Sequence, residues 1–160
     1  MKKILIDLEI CYNCKECKAA CDYYYHPKNE GWVRLLALGA QELVCRRCDD
    51  PPCVKSCPQN ALEFKPGGFL NRYSMRCTSC KTCTAACPFG VIYPDIVEYK
   101  TTMCDHCLDR AADDSPPVCT KTCPLNAIKW IEVEEDPLKD IYAVRNGLYY
   151  VHTIKWQKEK

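Results

Sequence analysis

The chain has 160 residues, a formal net charge of +1 and sixteen cysteines. That length suits one or two small domains. The near-balanced charge leaves no basic stripe for nucleic acid: Lys2 and Lys3, Arg46 and Arg47, and the tail KWQKEK read as solvated surface. No apolar stretch approaches the length of a membrane span, and Asp7 and Glu9 interrupt MKKILIDLEI before it could serve as a signal sequence, so a cytoplasmic chain is expected.

In chain order, residues 2–8 (KKILIDL) read as a short strand that feeds a first cysteine run, Cys11, Cys14, Cys17 and Cys21. Lys15 to Ala20 lacks Gly and Pro and reads as a helical turn, with the small Ala19 and Ala20 letting it approach a metal centre. The run Tyr23, Tyr24, Tyr25 suits packing over that centre or docking of a partner. Trp32 to Leu38 reads as a strand stopped at Gly39. Next come Cys45, Cys48, Cys53 and Cys57, with Asp49, Pro51 and Pro52 forming a rigid turn in the longer gap. NALEF and FLNR around Pro66, Gly67 and Gly68 predict a hairpin.

The third run, CTSCKTCTAACP, holds Cys77, Cys80, Cys83 and Cys87 and is the most informative stretch. Three thiolates at steps of three wrap one corner of a cubane iron-sulfur cluster, while the fourth, followed by proline, points to a different cluster. Ala85 and Ala86 sit before Cys87 as Ala19 and Ala20 do before Cys21, an internal repeat. Val91 to Tyr99 reads as a strand or crossing loop. The last run is Cys104, Cys107, Cys119 and Cys123, enclosing a polar loop over residues 108–118. AIKWIEVE alternates as a strand. The tail from Ile141 to Trp156 predicts a hairpin whose Asn146–Gly147 pair suits a two-residue type I′ turn. That hairpin adds no ligand, so it reads as a structural cover or a docking arm.

Four groups of four with none left over give four 4Fe-4S clusters held by sixteen cysteines. Structural zinc uses paired CxxC knuckles but has no need of three thiolates at successive steps of three. Disulfides belong to an oxidising compartment and usually a shorter secreted chain. Thiolate ligation turns the nearly neutral chain acidic, and metal is expected to stand in for an apolar core that each small unit lacks. His26, His106 and His152 form no evident acid-base or nucleophile constellation, and no phosphate-binding or dinucleotide motif is present, so no catalytic residue is assigned.

These residues resemble the four-cluster ferredoxin-like electron-transfer subunits of molybdenum and tungsten pterin oxidoreductases. That family includes the dimethyl sulfoxide reductase and formate dehydrogenase beta-subunit type, with aldehyde oxidoreductase, hydrogenase and carbon monoxide dehydrogenase associated members. The likeness covers Ile4 to Trp130 and is carried by CRRCDDPPCVKSCP, GFLN with CTSCKTCTAACPFG, and MCDHCLDR with PPVCTKTCPLNAIKW. It implies crossed ligation: Cys11, Cys14 and Cys17 with Cys123; Cys45, Cys48 and Cys53 with Cys87; Cys77, Cys80 and Cys83 with Cys57; Cys104, Cys107 and Cys119 with Cys21. Where the family often has Ile-Gly in its first and third motifs, this chain has Tyr12-Asn13 and Thr78-Ser79, which bears on potential and not on ligation.

The implied fold is α+β, two nested bacterial-ferredoxin-like modules with short helices, short hairpins and many loops. Residues 1–40 with 99–135 would form the outer module, 41–98 the inner one, and 136–160 a C-terminal hairpin extension. The implied function is a non-catalytic relay of single electrons between a large catalytic redox subunit, with a tungsten or molybdenum pterin enzyme such as aldehyde oxidoreductase favoured, and a second donor or acceptor subunit or ferredoxin. A free diffusible polyferredoxin, the relay of a hydrogenase or carbon monoxide dehydrogenase, and a structural zinc protein are the competing readings.

Overall fold

The computed structural model describes residues 1–23, 31–94, 104–107 and 109–154. Tyr24, Tyr25, His26, the end of the Val91–Tyr99 stretch, Leu108 and the tail from residue 155, Trp156 included, lie outside these described residues. Two compact units divide the chain: Met1–Gly39 with Thr102–Lys160, and Ala40–Thr101.

The first unit is built on a four-stranded sheet. Strand β1 (Lys3–Asp7) pairs antiparallel with β4 (Ile128–Ile131) and parallel with β6 (Tyr149–His152), and β5 (Ile141–Val144) closes the far edge in the order β4-β1-β6-β5. Ile4, Leu5 and Ile6 of β1 are buried in succession, as a strand covered on both faces requires. In β6, Tyr149 and Val151 are fully buried while Tyr150 and His152 are half-buried, the alternation of a sheet packed on one side. The tail hairpin is therefore part of the core. Its turn differs from expectation: pairing begins at Val144↔Tyr149, so the connection has four residues, and Arg145 joins Asn146 and Gly147 at positive φ.

Helix α2 spans Gly31–Val44, where a strand over Trp32 to Leu38 was expected. Gly31, Leu35 and Gly39 are buried at intervals of four, a helical period, and LLALGAQEL is rich in helix formers. Gly39 does not end the element. It lets α2 lie against β6: a Cβ there would stand 3.0 Å from Val151 Cγ1. The fully buried Tyr149 hydroxyl donates to the Leu35 carbonyl at 2.8 Å, tying helix to sheet.

Asp7 ends β1 and caps α1 (Leu8–Tyr12), accepting from the Ile10 N–H at 3.1 Å. The first cysteine thus sits on a helix. Lys15 to Ala20 is not helical; the Ala20 N–H instead donates to Thr122 Oγ1 at 2.8 Å, on α5 (Val118–Thr122). A crosslink of backbone to another element replaces the local turn. Residues 112–115 are exposed, as the polar loop predicts, and Trp130 Nε1 donates to the Ala112 carbonyl at 3.1 Å.

The second unit carries the expected hairpin, β2 (Leu62–Phe64) antiparallel to β3 (Leu70–Arg72), and two short helices, α3 (Pro52–Lys55) and α4 (Thr82–Ala86). Its core joins Leu62, Leu70 and Ile92 to Cys53 and Cys83, with Val54, Cys57, Phe64 and Cys77 packed against them. Sulfur here takes the place of aliphatic side chains. The first unit differs, because its sheet and α2 supply an aliphatic and aromatic core where none was expected. Among the described residues, no helix is long and apolar enough to cross a membrane.

Candidate metal centres

Two local devices recur around the cysteines. In three CxxC loops the residue before the second cysteine takes a left-handed backbone, Arg47 (φ 51), Ser79 (φ 55) and His106 (φ 56), a conformation uncommon outside glycine. In the Arg47 and Ser79 loops both cysteines border one cavity. The second device is a Cys-Pro turn. Asn60, Gly90 and Asn126, each three residues past Cys57, Cys87 or Cys123, have positive φ and donate N–H to that cysteine's carbonyl at 3.2, 3.1 and 3.2 Å. The next residues, Ala61, Val91 and Ala127, are buried. Cysteine spacing alone does not reveal this device, though CPQNA, CPFGV and CPLNA display it.

Short helices set the remaining thiols. Cys53 lies on α3, Cys83 on α4 and Cys119 on α5, while Cys87 and Cys123 end their helices in extended backbone. In the second unit one cavity is bordered by Cys57 together with Cys77, Cys80 and Cys83. Another is bordered by Cys45, Cys48, Cys53 and Cys87. Each holds three sulfurs of one motif and the last of the other.

In the first unit burial and neighbouring thiols together suppress ionisation of the cysteines. Burial pushes Cys11 up to about 11, and repulsion from Cys123, then Cys17, Cys14 and Asp7, adds to it. Cys119 is pushed up to about 12 by burial, then by Cys107, Cys104 and Cys21. Cys104 reaches about 12 by burial, offset by the His106 N–H and raised again by Cys107 and Cys21. In the second unit burial likewise raises Cys53 to about 11, with Cys87 and Cys45 adding repulsion. Cys80 goes the other way: the Thr82 hydroxyl, 3.3 Å from its sulfur, holds the thiol below its usual value.

None of the sixteen cysteines forms a disulfide. Among the described residues, no three Cys, His, Asp or Glu side chains converge as ligands of a single ion do. Thiolates of a cubane each meet a separate iron and so border a volume, which is what the two cavities present. The donor set fits such clusters: mostly half-buried or buried cysteines, with N–H or O–H groups within hydrogen-bond distance of Cys57, Cys77, Cys80 and Cys104.

A family profile described as the 4Fe-4S dicluster domain matches residues 38–133. The protein belongs to the 4Fe-4S dicluster domain family. It is similar to the B subunit of anaerobic dimethyl sulfoxide reductase from Escherichia coli strain K12, 29% identical over 149 residues, covering 81% of this chain and 73% of that protein. It is also similar to two other proteins of the same strain. The putative electron transport protein YsaA is 27% identical over 150 residues, covering 82% of this chain and 90% of that protein. The iron-sulfur subunit of nitrate-inducible formate dehydrogenase is 28% identical over 152 residues, covering 78% of this chain and 52% of that protein. This dicluster-family member is an iron-sulfur electron-transfer protein with four 4Fe-4S clusters.

The residues that depart from the family's usual pattern occupy unlike places. Tyr12 is 90% exposed and Asn13 Nδ2 donates to the Glu9 carbonyl at 2.8 Å, so neither is directed at a sulfur; Thr78, by contrast, lines the Cys57 cavity. His106 is half-buried, its ring centroid 5.9 Å from that of Tyr149, and burial lowers its pKa. His152 Nδ1 lies 3.1 Å from Asp7 Oδ2, the helix-capping carboxylate. Both described histidines have structural neighbours.

Proposed function

We propose that the protein is the relay subunit of a pterin-class oxidoreductase, each cluster held by three cysteines of one motif and the last cysteine of another. The ligand sets are Cys11, Cys14, Cys17 and Cys123; Cys45, Cys48, Cys53 and Cys87; Cys57, Cys77, Cys80 and Cys83; and Cys21, Cys104, Cys107 and Cys119. The observation that carries this reading is the mixing of motifs within the two cavities of the second unit. When bound, a cluster of this kind supplies a one-electron couple without an open coordination position for substrate. The protein's own groups shield the sulfurs and donate to them: the Ala61 N–H to Cys57 at 3.2 Å, Arg72 to Cys77 at 3.5 Å and the His106 N–H to Cys104 at 3.4 Å.

A docked subunit, in preference to a free carrier, is supported by the tips of the Cys-Pro turns. Phe89 is 54% exposed and Leu125 49% exposed, each two residues past a proposed ligand. Apolar side chains placed there suit coverage by a partner. The relatives named as a dimethyl sulfoxide reductase subunit and as a formate dehydrogenase iron-sulfur subunit favour a catalytic partner of that class. The narrower reading is a tungsten-type aldehyde oxidoreductase. Anaerobic native purification with metal analysis tests both levels: a copurifying large subunit that contains molybdenum or tungsten is expected, tungsten selecting the narrower reading. A monodisperse protein with full clusters and no partner would establish the diffusible carrier instead.

A further inference from the structure

We propose that a cavity beside the Cys104–Cys107 loop binds a flat, carbonyl-bearing aromatic ring of the flavin class, an electron partner for the relay. The relay reading above supports only the redox character of this ligand; the cavity itself does not depend on it.

The cavity has a volume of about 440 Å³, within the range of small-molecule sites. It is separate from the volume proposed for the neighbouring cluster, because Cys107 borders it and Cys21, Cys104 and Cys119 do not. The sheet supplies one side. Ile4 of β1 stands opposite Trp130 of β4, so their side chains share a face, and both line the cavity. Ala111 and Ala112 line it too and, with nothing beyond Cβ, leave the space open. Two hydrogen bonds tie this loop to the sheet: Trp130 Nε1 donates to the Ala112 carbonyl at 3.1 Å, and Lys2 Nζ to the Asp113 carbonyl at 2.9 Å. An indole held in place at the edge of a largely apolar cavity is a surface on which a flat ring stacks.

The charges narrow the ligand further. Lys2 and Lys3 line the cavity with Asp113, and the Met1 ammonium, also at its border, lies 3.4 Å from Glu132. Near Cys107, Arg110 lies 2.9 Å from Asp105 and 3.6 Å from Asp22. Summed, these cations and carboxylates cancel, so the surround suits a neutral ring better than a phosphate or a carboxylate. Lys3 makes no hydrogen bond or ion pair among the described residues, which leaves its ammonium to donate to a ring carbonyl. A ring bound here would lie against Cys107, a proposed cluster ligand. An oxidised isoalloxazine is flat, neutral, carries carbonyl oxygens and exchanges single electrons, and so meets each of these conditions.

The test is anaerobic equilibrium dialysis of the holo-protein against riboflavin, with iron counted in every sample. A single saturable site is expected, flavin mononucleotide should bind equally well, and adenosine should not compete. Ala112→Trp, which fills the cavity, and Lys3→Met, which removes a charged donor, should each raise Kd about tenfold or more with iron retained. Should Ala112→Trp lose iron, Ala111→Leu takes its place with the same expectation. Leu138→Trp, at a position 98% exposed and outside the cavity, should leave Kd unchanged. No saturable binding to iron-replete protein, an unchanged Kd in the cavity variants, or displacement by adenosine would each overturn the proposal while leaving the relay reading in place. Riboflavin binding by a natural protein that carries no iron would refute the relay reading and leave the cavity standing.

Discussion

Tyr149 is the residue through which the sheet, the helix and a ligand loop meet. It has no exposed surface, donates from its hydroxyl to the Leu35 carbonyl at 2.8 Å, and has its ring 5.9 Å from that of His106, which sits between Cys104 and Cys107. Tyr149→Phe removes one buried hydrogen bond and should cost about 1.2 kcal/mol. Tyr149→Ala also leaves a cavity the size of an aromatic ring and should cost about 4 kcal/mol. With a denaturant slope of about 3 kcal/mol per molar in guanidinium, the midpoints should fall by ~0.4 M and ~1.3 M. The assay is anaerobic guanidinium unfolding followed by tryptophan fluorescence, since Trp32 and Trp130 both lie in this unit. Cluster absorbance read in parallel should bleach earlier in Tyr149→Ala, because the loop bearing His106 loses its support. If both variants unfold within ~0.1 M of the natural protein, the tail hairpin is an appended arm and the core described here is wrong.

The two units should respond differently to metal removal: chelation should melt the second unit, whose core contains Cys53 and Cys83, while hydrogen exchange still shows protection at Ile4 to Ile6 and Tyr149 to Val151 in the first. Protection lost equally in both units would contradict this. Crossed ligation predicts that Cys87→Ser disturbs the cluster of Cys45, Cys48 and Cys53, and Cys57→Ser that of Cys77, Cys80 and Cys83; a loss confined to each residue's own motif would refute it. Reconstitution should depend on pH in a fixed direction. Cys104 and Cys119 are pushed up to about 12 and Cys11 to about 11, so these thiols are protonated near neutrality and must release protons to bind iron. Iron uptake by the metal-free protein should therefore accelerate as pH rises from about 7 to about 9, and a flat or falling rate would count against the buried ligand geometry.

The ligand runs were legible because cluster chemistry fixes cysteine spacing whatever surrounds it. The β2–β3 hairpin was legible too, since Pro66-Gly67-Gly68 punctuates two short apolar runs. Helix α2 was misread for a tertiary reason. Trp32 and Val33 weigh toward a strand and Gly39 looks like a stop, yet Gly39 is there so that Val151 of β6 can approach. The apolar core of the first unit was hidden because no strand in it exceeds five residues; only the β4-β1-β6-β5 order, drawn from both ends of the sequence, assembles one. The Ala19–Ala20 and Ala85–Ala86 repeat proved one of sequence and not of shape. Thr82–Ala86 forms α4, while Ala20 bonds to α5. The Cys-Pro turns were present in the sequence at three places, and their Asn or Gly at the positive-φ position was the signal that could have found them.

Electron transfer through four clusters is the central claim, and a reductive titration with electron counting meets it most directly. Anaerobically prepared protein should contain about sixteen iron and about sixteen sulfide and accept about four electrons, one for each cubane held by four thiolates. About half that iron with about two electrons, or stoichiometric zinc with none, would contradict it.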